Sequence, residues 1–289
     1  MLEEPYLSPE GYHVDVLEVF DDRKEGYATL VVQSNEDRDM HRCQIYSSSN
    51  FLAGDPPIIL DRNLWIYSMW RSPKGWLYYI HSGGILERGN ADGFEILVNS
   101  DAAFTRIFGL SESEIYIVGQ KGYIALFDGV NLIDISIKES NDIYCVSIAE
   151  DGTVYASGEL GGVFRRTGSD WKQIALPIGV EVNFILALDT TSAYLCGSSG
   201  FCGMLRGEEL VIYETSDDRS YFAIARFAGD VYFGAGFHGV ERLEDGVVVN
   251  FKDIAYSYYL DASTKYLYTS GLNRVGRFDG SGWLKQDFL

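Results

Sequence analysis

Cysteine, proline, histidine and basic residues are all scarce, and each shortage removes a class of function. The four cysteines, Cys43, Cys145, Cys196 and Cys202, form no CxxC pair, so neither a zinc ribbon nor a dithiol redox motif is available. They read as free thiols of a reducing compartment, with a Cys196–Cys202 bridge across a turn as the alternative. The four histidines, His13, His41, His81 and His238, have no metal-ligand spacing, and the chain calls for no metal and no cofactor. Only 6 prolines interrupt the 289 residues, which suits a chain of many strands. No run of about 18 apolar residues occurs, and MLEEPYLSPEGYHVD has no basic region followed by an apolar one, so neither a membrane span nor a signal peptide is expected. Lysine and arginine total 23 against 42 acids, a formal charge of −19. That field repels nucleic acid and anionic membranes and favours a basic protein partner. A monomer in the cytoplasm is the expectation.

What the chain has is aromatic residues, 20 Tyr and 16 Phe, and 31 Gly, set out periodically. Between Ala102 and Lys138 four short alternating runs are joined by Ser111-Glu112-Ser113-Glu114, Gly119-Gln120-Lys121-Gly122 and Asp128-Gly129, the pattern of strands linked as hairpins. The unit recurs. A Gly-x-x-Gly turn starts at 119, 158, 197 and 236, preceded by Tyr116, Tyr155, Tyr194 and Phe233. A second turn carries Gly129, Gly168, Gly207 and Gly246. All these columns step by 39 residues. A period near 40 with four strands per unit predicts an all-β fold, a β-propeller of antiparallel four-stranded blades. One domain spans 1–289, with blades near 12–60, 64–98, 102–138, 142–177, 182–215, 220–253 and 254–289. The first unit lacks the glycine pattern, so six blades with an N-terminal cap is the alternative. Ring closure is open between direct packing of the last blade on the first and exchange of HVDVLEVF into the last sheet.

VGQKGYIALFDGVNL, SGELGGVFRRTGSDW and SGLNRVGRFDGSGW resemble the G-x-x-G…D-G-x-x-W blades of a broad propeller superfamily that includes photosystem-assembly factors and BNR or Asp-box proteins. The resemblance covers roughly 64–289. It implies the fold and no particular activity. No blade carries the full Asp-box S-x-D-x-G-x-T-W, and a sialidase arginine set cannot be mapped.

In a propeller the first strand of each blade lines the channel. Second-to-third turns and interblade links open on one face, here the link face; the remaining turns open on the other, the hairpin face. Link-face candidates are His81, Lys121, Glu159, His238 and Arg274 on turns, with Asp217 and Asp218 on a link. These positions vary between similar blades, as a specific site on a repetitive scaffold requires, although turn tips also drift freely. Arg106 stands in a channel column with Ser68, Cys145, Phe184 and Ala223, placed either to hold an anion or to pair with a neighbouring acid. The hairpin face gathers Glu112, Glu114, Glu150, Asp151, Glu208, Glu209, Glu244 and Asp245, a docking surface for a basic protein or simply good turn chemistry.

The functional expectation is a non-enzymatic scaffold that sequesters a basic protein, for instance an immunity protein occluding a toxin. The alternative is a glycan-binding, small-molecule-binding or hydrolytic propeller using Arg106, His81 and His238 at the channel mouth. A deep polar pocket there favours the second, a plugged channel the first.

Overall fold

The computed structural model describes residues 13–22, 26–35, 40–51, 54–138, 141–177, 179–251 and 254–288. They form seven four-stranded antiparallel sheets, each made of four consecutive strands. Blade 1 is β1 (His13–Asp21), β2 (Tyr27–Asn35), β3 (Met40–Ser48) and β4 (Ile58–Arg62). Blade 2 is β5 (Ile66–Arg71), β6 (Leu77–His81), β7 (Ile85–Asn90) and β8 (Gly93–Asn99). Blade 3 is β9 (Phe104–Ser111), β10 (Glu114–Gly119), β11 (Ile124–Phe127) and β12 (Leu132–Asp134). Blade 4 is β13 (Ile143–Ile148), β14 (Val154–Gly158), β15 (Val163–Thr167) and β16 (Asp170–Gln173). Blade 5 is β17 (Phe184–Ala187), β18 (Ser192–Cys196), β19 (Cys202–Arg206) and β20 (Glu209–Ile212). Blade 6 is β21 (Ala223–Phe227), β22 (Asp230–Gly234), β23 (Val240–Glu244) and β24 (Val247–Asn250). Blade 7 is β25 (Tyr259–Ala262), β26 (Leu267–Gly271), β27 (Arg274–Phe278) and β28 (Trp283–Asp287). The first unit is therefore a blade and not a cap.

Burial follows strand position. The second strands of blades 2, 4 and 7 are buried at every residue, while the outermost strands β8, β16 and β20 have no buried residue. A second strand lies between two others in its sheet and between two blades across its faces, so both of its faces are apolar. The largest fully buried side chains are accordingly tyrosines of these strands, among them Tyr78, Tyr116, Tyr155, Tyr232 and Tyr268.

Pairing corrects the sequence register in blade 6. Gly119, Gly158 and Gly197 each donate their N–H to the carbonyl four residues on, and in blade 6 the residue that does so is Ala235. Tyr116, Tyr155 and Tyr194 pair with residues 126, 165 and 204, and their blade 6 counterpart is Tyr232, paired with Arg242, not Phe233. The step is 38 there. One residue is lost in the first hairpin, where Ala228 and Gly229 make a two-residue turn with φ of 52° and 94°. Gly236 and Gly239 keep the sequence spacing while sitting one place later in the turn.

The ring closes by packing. Among the described residues β1 pairs only with β2, and no strand is exchanged between the ends. Tyr27 Oη donates to Gln286 Oε1 at 2.6 Å, Tyr268 Oη to the Gly26 carbonyl at 3.1 Å, and the Asp21 N–H to Asp261 Oδ2 at 2.8 Å. Tyr27, Phe51 and Tyr268 stack across the same seam.

Candidate functional site

The link-face mouth of the channel is built from a repeated irregularity. The first strands of blades 1 to 4 each carry a bulge against the second strand, at Leu17, Tyr67, Thr105 and Tyr144. A bulged residue leaves the ladder and its side chain is re-aimed. The matching positions of blades 5 to 7, one residue before each first strand, are Asn183, Phe222 and Tyr258. Thr105, Tyr144, Asn183, Phe222 and Tyr258, with Arg106 and Glu181, line a depression of about 410 Å³. Tyr67 is 42% exposed.

Two halves of this mouth differ chemically. On blades 6 and 7 the rings of Phe222 and Tyr258 lie 5.0 Å apart, and Phe237 packs edge-on against Tyr258 at 5.8 Å and Tyr256 at 5.7 Å. Phe237 is nevertheless 55% exposed. Its position follows from the shifted blade 6 turn, because Gly236 exchanges two backbone hydrogen bonds with Ser257 of the following link. On blades 4 and 5 carboxylates surround Tyr144, whose hydroxyl donates to Glu159 Oε1 at 3.3 Å. Desolvation first, then the charges of Glu159, Glu181 and Asp142, push that phenol up to about 12.

Below the mouth the axis is plugged. Arg106 extends from blade 3 so that its guanidinium carbon lies 5.5–5.7 Å from the rings of Phe108, Phe184 and Tyr259, and its Nε is 3.9 Å from Glu18 Oε1. Blades 1, 3, 5 and 7 thus meet on the axis. Glu18 is buried; Ser68 Oγ donates to its Oε1 at 2.8 Å and the Met69 N–H to its Oε2 at 2.5 Å. Desolvation outweighs Arg106 and these donors and raises the Glu18 carboxyl to about 7. Arg106 therefore pairs with an acid, and the channel column gains Glu18 and Tyr259, which the sequence reading had not placed in it.

The other sequence candidates scatter. His81 is buried, 7% exposed, and lies 3.1 Å from Glu87 Oε1, while Tyr79 Oη donates to Glu87 Oε2 at 2.5 Å. Neither it nor His238 lines the mouth depression, so the structure does not gather Arg106, His81 and His238 there. Lys121 is exposed and its N–H is held by Asp142 Oδ1 at 2.8 Å. Arg274 is paired with Asp287 at 2.5 Å. Asp217 holds Arg219, which also binds buried Glu241 at 2.5 Å; His238 and Asp218 are exposed. Glu159 does not line the depression itself and reaches it through the Tyr144 hydroxyl.

The hairpin-face acids are largely engaged. Glu112 pairs with Lys74 at 3.3 Å, Glu208 with Lys172 at 3.4 Å, and Glu244 with Arg242, which also reaches Asp230 at 3.4 Å. Glu114 accepts Tyr116 Oη at 3.3 Å, and Asp151 accepts the N–H groups of Thr153 and Thr190. Glu150, Glu209 and Asp245 face solvent with no ion pair among the described residues. The sequence reading overlooked the cations here: Arg88, Arg165, Arg242 and Arg277 lie opposite the second-strand tyrosines in four blades. Arg23, Lys24 and Glu25, which the sequence places between the first two strands of blade 1, lie outside the described residues.

No group of three His, Cys, Asp or Glu side chains among the described residues is arranged to hold a metal ion. All four cysteines are free and buried, and desolvation pushes Cys43 and Cys145 up to about 11, away from thiolate chemistry.

Fold and mouth together define a seven-bladed β-propeller with an axial plug. No family model and no curated protein matches the chain. Solved structures do. The WD40 β-propeller domain of Doa1 is similar with a TM-score of 0.71 and 10% identity over 92% of this chain and 93% of that one. YCF48 bound to a D1 peptide gives 0.66 and 10% over 99% of both chains. YCF48 from Cyanidioschyzon merolae gives 0.69 and 13% over 97% of both. At such identities the likeness is one of fold.

Proposed function

We propose that this propeller is a non-catalytic scaffold that binds a protein, and that the protein is basic. The plug carries the reading. Glu18, Arg106, Phe184 and Tyr259 meet across the axis and divide the channel, so nothing passes through it and binding is left to its two ends, each a shallow depression. A formal charge of −19 then selects the partner's sign, since a one-signed surface speeds encounter and rejects like-charged competitors. A propeller of this fold is known bound to a peptide, which makes protein recognition a natural use of such ends. Occlusion of a basic toxin is one form this takes.

The test begins with capture of the partner from the native host and measurement of its association rate against ionic strength. The rate is expected to fall with salt. Reversing Glu150, Glu209, Glu244 and Asp245 to Lys is expected to slow it by on the order of tenfold at low salt. A rate indifferent to both salt and reversal overturns the basic-partner reading.

A further inference from the structure

The link-face mouth combines two features that seldom meet on a surface without a purpose: half-buried aromatic rings in contact with an exposed one, and carboxylates that make no ion pair among the described residues. Phe222, Tyr258 and Phe237 form the apolar half. Glu181 is exposed and makes no ion pair among the described residues, and Glu159 is tied only through the Tyr144 hydroxyl. Glu159 accepts from the Tyr144 hydroxyl, and Glu181 lines the same depression as Tyr144.

We propose that this mouth is a docking site for an extended basic segment of the protein partner, in which one arginine or lysine side chain lies over Tyr144 between Glu159 and Glu181 while a neighbouring apolar side chain packs on Phe222 and Tyr258. The inference rests on the basic-partner reading and names the anchor. Charge sets the occupant: the carboxylates attract a cation, and an aromatic face adds to that attraction once water is displaced. The opposing charge of Arg106 is directed inward, toward Glu18 and the rings of Phe184 and Tyr259, and forms the floor. Thr105 and Asn183 complete the wall, Asn183 already donating to the Tyr221 carbonyl at 2.9 Å and so fixed in place.

The probe is a fluorescein-labelled, acetylated alanine pentapeptide with adjacent arginine and leucine, read by fluorescence anisotropy against versions with glutamine or glutamate for arginine and serine for leucine. The wild type is expected to bind the arginine–leucine peptide, and the glutamine and serine versions to bind roughly tenfold or more weakly. Glu181→Gln and Phe222→Ala are each expected to weaken it by a similar factor, and Asp92→Asn, in the exposed turn between β7 and β8, to leave it unchanged. Glu181 is exposed, so its variant keeps the fold, which an unshifted melting temperature checks. No binding of any basic peptide by the wild type overturns this proposal and the basic-partner reading together. Equal binding by wild type, Glu181→Gln and Phe222→Ala overturns the mouth alone. Preference for the glutamate peptide, lost in Arg106→Ala, overturns it in favour of an anion site.

Discussion

The two ends of this propeller spend their carboxylates differently. On the hairpin face most are tied into structure: Asp189 accepts from Thr191 and Ser192, Asp279 from Ser281 and Gly282, and Glu112, Glu208 and Glu244 from cations. On the link face Glu181 makes no ion pair among the described residues and stands beside half-buried aromatic rings. Counting acids per face therefore misleads. What distinguishes a surface poised for a partner is the charge left over once turns and ion pairs have been formed, together with apolar area that has nothing to cover it.

The same contrast has a pH signature of opposite sign, and it gives the largest expected effect. Glu18 beneath the mouth titrates at about 7 when folded against a usual 4.5, so the folded state holds its proton more tightly. Its contribution is fully present in acid and is lost as pH rises from about 4.5 through about 7, amounting to roughly 3 kcal/mol. Hydrogen bonds to the ionised form hold Asp189 and Asp279 at about 2, so their contribution is present at neutral pH and is lost as pH falls below the ordinary carboxylate range. Denaturant unfolding across pH 2 to 8 is expected to lose its downward slope toward neutrality in Glu18→Gln and to keep its acid limb. An unchanged slope in that variant breaks the contrast.

A smaller effect sharpens it. Gly236 has a φ of +55°, and a Cβ there would stand 3.0 Å from the Phe222 ring. Gly236→Ala is expected to cost about 1–2 kcal/mol in unfolding free energy and to disturb the aromatic half of the mouth, visible in near-UV circular dichroism. The smallest is on the hairpin face. Lys172 and Glu208 are both exposed, so Lys172→Met is expected to change stability by less than about 0.5 kcal/mol.

How far the sequence reaches is clear from particular residues. Hairpin turns need positive φ, which glycine supplies, so Gly122, Gly161 and Gly200 wrote the blade period into the chain in plain view. The later blades follow from it, whereas the first unit lacks the glycine pattern and its sequence admits a cap beside a blade. The slip in blade 6 was hidden because Gly236 and Gly239 preserve the spacing while the lost residue lies upstream, at the Ala228–Gly229 turn. The mouth was missed by one position. The sequence reading followed the channel column of Arg106 and Cys145, whereas the residues that open to solvent, Thr105 and Tyr144, are the bulged ones beside it. A bulge breaks the two-residue alternation on which strand reading depends. The 39-residue step from Thr105 through Tyr144 and Asn183 to Phe222 was the available signal. The cross-axis pairing of Arg106 with Glu18 had no local signal at all, since the residues are 88 apart in the chain (106 − 18).

Because the ring shuts by packing between β1 and blade 7, with no strand shared between them among the described residues, each of the seven sheets is encoded by consecutive strands of the chain. The seam at Tyr27, Tyr268 and Gln286 is then a clasp between two finished parts. The link between any two blades is equivalent in kind to that clasp. Joining the present ends and reopening the chain at another link would leave all seven sheets intact and merely move the clasp around the circle, so the position of the opening is a property of the chain's order and not of the disc it forms.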